Sequence, residues 1–286
     1  MHGARCLTLV FLSVVPLFAQ DGATVYRAAC AACHDAGVDR APNRAALMAM
    51  SPERVLTSLE SGSMISMTAA RSAAERRAVA EFVTGKSFQR PLVTRPAAQS
   101  MCAGGSAVGD PSARPGWNGW GVSSSNTRYQ DAAGAGLTAA AVRRLQLKWA
   151  FGFPGDIAGD AQPTVSGGRV YVGSQSGNVY ALDAASGCIH WFFQAASAVR
   201  AAVTVGRIDA PAGSTYAAFI GDRAGTVYAV DAATGKLLWQ RRVDDHPVAR
   251  VTGSPAFHNG RLYVPVASGE EGTGAASDYG CCRFRG

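Results

Sequence analysis

Long apolar runs, dense charge and clustered metal ligands are what this sequence has least of. Beyond Leu7 to Phe18 no apolar stretch approaches the length needed to span a bilayer. No run of five or six basic residues occurs although the formal net charge is +7. Nucleic-acid binding is therefore a poor reading, and a soluble basic protein with acidic partners or no special partner is the better one. Charged residues are only 16% of the 286 and hydrophobic residues are 48%. That balance excludes disorder as the default and supplies a core for one large domain or two modest ones. His190, His246 and His258 have no mutual spacing that argues for a site. No second CxxC and no paired His follows the first CxxC, which excludes a four-ligand zinc centre. Glycine is plentiful, at 33 residues, which suits an all-β region with many tight turns.

What is present starts with Cys30-Ala31-Ala32-Cys33-His34. Two thiols three residues apart can add to the two vinyl groups of one haem, and the next residue can present its imidazole to the iron. The pattern predicts covalent haem c on Cys30 and Cys33 with His34 as an iron ligand. Residues 1–20 read as a signal peptide: His2 and Arg5, then the short apolar run, then Ala19 before cleavage and Gln20 as the new terminus. An uncleaved anchor is the alternative. Haem is attached covalently outside the bacterial cytoplasm, so both signals predict a periplasmic or secreted protein. Of the seven cysteines, Cys6 lies in the leader and two belong to the haem. Cys102, Cys188, Cys281 and Cys282 remain, in a compartment that permits disulfides, and their pairing is not fixed by the sequence.

Residues 21–86 form the first predicted domain. Gly22, Tyr26, Cys30 and His34 fall at four-residue steps along one helix face. Ser51-Pro52-Glu53 is a helix start, with Val55, Leu56 and Leu59 as its apolar face and Gly62 as its end. Ser72 and Glu75 form a capping box, Ala78, Val79, Phe82 and Val83 give the buried side, and Gly85 is the stop. Three short helices around one CxxCH resemble a small class I cytochrome c, whose opening pattern is matched at Gly22, Tyr26, Cys30, Cys33 and His34. The resemblance implies a methionine as second iron ligand in the loop before the last helix, where Met64 and Met67 both lie. Met64 stands eight residues before Ser72 with Gly62 two residues ahead of it, which is the family spacing. Met67 then corresponds to an apolar residue packing on the ring. Pro42 resembles the proline whose carbonyl holds the imidazole, and Arg40 the arginine near the haem propionates. Thioether and His/Met ligation fills both axial positions, so the iron relays electrons and does no bond chemistry.

Residues 87–115 read as a linker with some local order, rich in Pro, Ala, Ser and Gly, with Cys102 inside it. Trp117-Asn118-Gly119-Trp120-Gly121 marks the entry to residues 116–286. Leu145, Leu147, Trp149 and Phe151 alternate as a strand should. Gly177-Asn178-Val179-Tyr180-Ala181-Leu182-Asp183-Ala184-Ala185-Ser186-Gly187, running on to Trp191, recurs as Gly225 to Gly235, running on to Trp239. Arg169-Val170-Tyr171-Val172 recurs as Arg261-Leu262-Tyr263-Val264. Each unit predicts a four-stranded propeller blade, with Asp capping the turn and Gly at positive φ. Two complete blades and part of a third are present, and closed propellers have about four to eight. The chain stops inside a blade, so the expectation is a fragment or truncated product of a larger propeller.

The Asp-x-x-x-Gly-x-x-x-Trp repeat resembles that of the quinoprotein alcohol dehydrogenases, which carry pyrroloquinoline quinone (PQQ) and calcium on the axis of an eight-bladed propeller. With a cytochrome c ahead of it, and with Trp117 to Gly121, the chain looks most like the polyvinyl-alcohol-oxidising branch. The resemblance implies PQQ contacts from Asp160, Arg200 and Thr252, which begin successive innermost strands; Asp in place of the usual Glu shortens the reach. It implies calcium binding by the Glu of Ser268-Gly269-Glu270-Glu271, with Glu271 at the family spacing, Glu270 the near alternative, and Ser268 beside PQQ. It gives Cys281 and Cys282 the role of a vicinal disulfide stacked on PQQ, although here the pair follows the calcium loop; an unrelated disulfide or free thiols are the alternatives. Hydride transfer from an alcohol, which can be polymeric, to a calcium-polarised quinone would follow, then single electrons to the haem and to an acceptor such as another cytochrome c. The family's catalytic aspartate lies in later blades, so no catalytic residue is assigned. The rival reading is an electron carrier fused to a non-catalytic propeller that serves as a binding platform.

Overall fold

The computed structural model describes residues 21–38, 41–60, 62–68, 71–88, 96–104, 107–112, 116–123, 125–154, 156, 159–210, 213–246, 248–270, 280 and 284. The leader at 1–20, Arg40, Glu271, Cys281 and Cys282 lie outside the described residues.

The first unit is helical. α1 (Gly22–Ala29) begins at Asp21, whose carboxylate accepts from the Thr24 N–H at 2.8 Å. The single helix expected from Gly22 to His34 is in fact two. Cys30 leaves helical geometry at φ −126°, and α2 (Ala31–His34) is a separate turn carrying the second thiol and the imidazole. A third helix went unread in the sequence: α3 (Arg44–Ala49), capped by the Asn43 side chain. It is short and buries only Leu47, so its periodicity is faint. α4 (Pro52–Glu60) starts after Ser51, whose Oγ accepts from the Arg54 N–H at 3.2 Å. α5 (Ala73–Thr84) has the expected capping box at Ser72 and Glu75 and ends at Gly85 with φ 64°. Val25, Tyr26, Leu47, Val55, Leu59, Val79, Ala80 and Val83 form the core. α1 crosses α5 at Gly22, where a Cβ would overlap the Ala78 carbonyl, so only glycine permits that approach.

The second unit is antiparallel β. β1 (Thr164–Ser166), β2 (Arg169–Gly173), β3 (Asn178–Asp183) and β4 (Ile189–Gln194) form one sheet in sequence order. β5 (Thr204–Ala210), β6 (Gly213–Gly221), β7 (Thr226–Asp231) and β8 (Leu237–Arg242) form a second. The repeat extends to irregularities: the register shifts between Ala181 and Leu182 and again between Ala229 and Val230. Two short pairs follow, β9 (Ala249–Arg250) with β12 (Ala267–Ser268), and β10 (Ala256–His258) with β11 (Arg261–Tyr263). The sheets are open and propeller-like.

A buried cluster of Tyr171, Val179, Ala181, Trp191, Val199, Val203, Val205, Ala218, Ile220, Tyr228 and Val230 glues the two large sheets together. The repeat tryptophans interlock them. Trp149 lies where a Gly187 Cβ would come within 2.7 Å of its ring, and its indole N–H donates to the Ala184 carbonyl at 3.2 Å. Trp191 does the same one sheet further on, over Gly235 and to the Ala232 carbonyl at 2.9 Å.

Two parts differ from expectation. Residues 145–151 form no strand. Trp149 and Phe151 pack on the first sheet, but Leu145 and Leu147, on the same side of the expected alternation, are 60% and 85% exposed, so the alternation holds only from Trp149 on. Among the described residues, however, no strand pairs with this segment, and alternation without a ladder partner is not a strand. The connecting segment is also more ordered than its composition suggested. Met101 bridges to Ile189, Cys102 is disulfide-bonded to Cys188, the Gly109 N–H donates to Gly167, and Trp117 pairs with Val165. Both edges of the first sheet are thereby covered.

Candidate functional site

Two centres emerge. The first is a slot in the helical unit. The break at Cys30 puts Cys30, Cys33 and His34 on its wall, and the His34 Nδ1 donates to the Pro42 carbonyl oxygen at 2.6 Å. That bond fixes the tautomer and leaves Nε2 with its lone pair for a metal. A cavity of about 250 Å³ is lined by Cys30, His34, Pro42, Met50, Arg54 and Met64 among others. An adjoining cavity of about 560 Å³ is lined by Cys30, Cys33, His34, Pro42, Met64 and Met67. Met64 borders both, whereas Met67 borders one and is 50% exposed. Burial pushes the Cys30 thiol pKa up, the Arg71 charge opposes that, and Cys33 adds to it. Tyr26 braces the wall: its hydroxyl donates to Asp35 at 2.6 Å, and burial first, then Asp35, raises its pKa to about 12. Free thiols, a lone-pair nitrogen and an apolar slot fit a covalently held haem. Arg54 was not singled out in the sequence, where its place on α4 gave no sign that it faces the slot.

The second centre lies where the β units converge. In the first sheet the turn after β2 contains Gln175, whose amide donates to the Asp160 carboxylate. The same turn in the second sheet carries Arg223. Its N–H donates to the Ala198 carbonyl at 2.9 Å, and the neighbouring Asp222 carbonyl accepts from the Val251 N–H at 3.0 Å. The turn is thus clamped between the segments bearing Arg200 and Arg250. Burial lowers the Arg223 pKa, Arg250 and Arg200 lower it further, and Asp160 raises it. The Arg223 Nε is buried with no hydrogen-bond partner among the described residues. Arg250 lies flat against Gly269, where a Cβ would overlap its guanidinium, and Ser268 pairs with Ala249 beside it. The structure therefore brings Asp160, Arg200 and Ser268 into one neighbourhood with Arg223 and Arg250, which the sequence reading passed over. The signal available was the offset of 48 that aligns Gln175 with Arg223. Thr252 is half-buried two residues after Arg250.

Glu270 faces elsewhere. It is buried, its Oε1 lies 3.6 Å from His246 Nε2, and its Oε2 accepts from the Phe284 N–H at 3.0 Å. Among the described residues no group of three or more His, Cys, Asp or Glu side chains could hold a metal ion. No helix among them is long and apolar enough to cross a membrane.

The architecture defines a class: a cytochrome c domain joined to a β-rich, propeller-like domain of PQQ-type repeats. Residues 18–83 match the family described as cytochrome C oxidase, cbb3-type, subunit III. Residues 103–279, more than half of the chain, match the PQQ-repeat family described as outer membrane protein assembly factor BamB, and the chain belongs to that family. More particularly, it is similar to the polyvinylalcohol dehydrogenase of Pseudomonas sp, 40% identical over 286 residues, which is 96% of this chain and 44% of the relative. The polyvinylalcohol dehydrogenase of Sphingopyxis sp. (strain 113P3) is 35% identical over 95% of this chain and 43% of its own length. The chain thus spans less than half the length of these relatives. Among solved structures, the quinohemoprotein alcohol dehydrogenase from Comamonas testosteroni aligns over 56% of this chain and 24% of that one, at 25% identity and a TM-score of 0.45.

Proposed function

We propose that this chain is part of a periplasmic or secreted oxidoreductase in which PQQ-linked alcohol oxidation delivers electrons to a c-type haem. The observation that carries the reading is the joining of a haem-ready slot, with His34 locked to Pro42, to a repeat domain whose converging segments gather guanidinium groups. Cys30 and Cys33 hold the porphyrin and His34 ligates its iron. Met64 is the second ligand, supported by its position on both cavities. Arg54, on the same wall, offers its charge to a propionate. Bound haem supplies one-electron carriage.

In the β domain Asp160, Arg200, Thr252 and Ser268 are the proposed contacts to PQQ, which supplies two-electron acceptance when bound. Arginine suits a tricarboxylate because its fork meets a carboxylate bidentately. Glu271 is the better proposed calcium ligand, since the Glu270 carboxylate is already engaged by His246 and a backbone N–H. Cys281 and Cys282 keep their proposed place beside the quinone. The alcohol, including a polymeric one such as the relatives' names indicate, and a downstream cytochrome are the proposed partners. Residues 1–20 are the proposed export signal.

The test is reconstitution of the full-length protein with PQQ and calcium. Alcohol should bleach the oxidised-haem spectrum, with two haem-reducing equivalents per alcohol oxidised to carbonyl. No alcohol-dependent reduction would favour a non-catalytic binding platform beside an electron carrier.

A further inference from the structure

The contacts proposed above include one arginine, yet three guanidinium groups converge. Arg200 ends the segment whose Ala198 carbonyl accepts the Arg223 N–H. Arg250 precedes Val251, whose N–H donates to the Asp222 carbonyl. These backbone bonds seat Arg223 between the other two and hold all three on separate segments. Among the described residues the only acidic charge bearing on Arg223 is Asp160, and Gln175 already donates to that carboxylate. Three positive charges against one negative leave an excess of two. An arginine with a buried, unpartnered Nε among like charges costs stability unless an anion arrives.

We propose that Arg200, Arg223 and Arg250 form one cradle for a rigid polycarboxylate, with Arg223 as its central donor. Carboxylate is the matching chemistry. Each guanidinium is planar and fork-shaped, Arg250 packs closely on Gly269, and three forks carried on separate segments suit an anion with several fixed, planar charges. That this polycarboxylate is PQQ rests on the function proposed above; the cradle itself rests on the arginines.

The experiment is calorimetric titration of the full chain, haem attached, with PQQ and with benzene-1,3,5-tricarboxylate, each at two salt concentrations. Arg223→Gln, Arg223→Lys, Arg250→Gln and the exposed-surface control Arg143→Gln are compared with the native chain. Losing one charge-assisted contact should weaken binding by about tenfold or more and flatten its salt dependence. Arg223→Lys should recover part of the affinity, and Arg143→Gln none of the defect. Without ligand, Arg223→Gln should melt at the native temperature or above it, because the buried Nε has no hydrogen-bond partner among the described residues and the repulsion from Arg250 and Arg200 outweighs the attraction of Asp160. A merely structural arginine would lower that temperature. Tricarboxylate binding that depends on Arg223, with no binding of PQQ, would sustain the cradle and overturn the cofactor reading. PQQ binding undiminished in both Arg223 variants would overturn the cradle and leave the cofactor reading intact. Failure of the native chain to bind either probe would overturn both.

Discussion

At the scale of single residues, the haem slot makes a sharp expectation about Met64 and Met67. If Met64 is the ligand, Met64→Ala should leave the iron five-coordinate or water-bound and shift its visible and magnetic spectra towards high spin. Met67→Ala should leave them unchanged. His190 gives a second test. It is buried in β4, 3.6 Å from Asp183 and within reach of the Arg169 charge. Burial first, then Arg169, lower its pKa below 6.5, and Asp183 only partly offsets them. The unfolded chain therefore binds a proton more readily than the folded one. The stability this gives is complete above the unfolded value of 6.5 and is lost as pH falls through the depressed folded value. His190→Gln should flatten the loss of melting temperature between neutral pH and about pH 5. Cys30, Cys33 and His34, which the structure places on one cavity wall, were legible as a group because their spacing is local in the chain. Arg223 was not, because the turn position that aims it inward carries glutamine in one repeat and arginine in the next. Its partners come from segments distant in sequence.

At the scale of elements, the tryptophan interlock explains why the repeat was so readable. Trp149 and Trp191 each cover a glycine on the adjoining turn, Gly187 and Gly235, and those glycines keep the 48-residue offset of the repeat. Gly235 has φ 73° and no room for a Cβ under Trp191. Left-handed strain and overpacking together should make Gly235→Ala cost about 2–4 kcal/mol, read from urea unfolding followed by tryptophan fluorescence. The Cys102–Cys188 disulfide closes a loop with a sequence separation of 86. Replacing both cysteines by serine should cost about 2–4 kcal/mol in the β domain and leave the haem-region transition in place. The pairing itself could not be read, since four cysteines allow three connectivities. Strands with a ladder partner were legible from the repeat, not from alternation, since β3 and β7 are buried nearly throughout and β8 is exposed throughout. Residues 145–151 show that apolar alternation alone guarantees neither burial nor a ladder: Leu145 and Leu147 are exposed, and among the described residues no strand pairs with the segment. α1 and α2 teach the converse lesson, because four-residue spacing continues across a break in the backbone at Cys30.

At the scale of the whole molecule, two separate cores announced themselves, one with helical periodicity and caps, the other with a β repeat. What tertiary contact added was the role of the chain between them. The Phe88 N–H donates to Glu81 at 2.9 Å, which ties it to the helical unit, and Met101 is bridged to Ile189 and fastened by the neighbouring disulfide. Within the expected linker of residues 87–115, tertiary ties are thus described at Phe88 and from Met101 on. Even pulled straight, the thirteen steps from Phe88 to Met101 reach no further than about 45 Å. The leash is short enough that, on the function proposed above, haem reduction from the β domain should follow first-order kinetics, unaffected by diluting the protein. Severing the Cys102 anchor lengthens that leash, so, on the function proposed above, replacing Cys102 and Cys188 by serine should slow internal electron delivery while the haem spectrum stays that of the native chain.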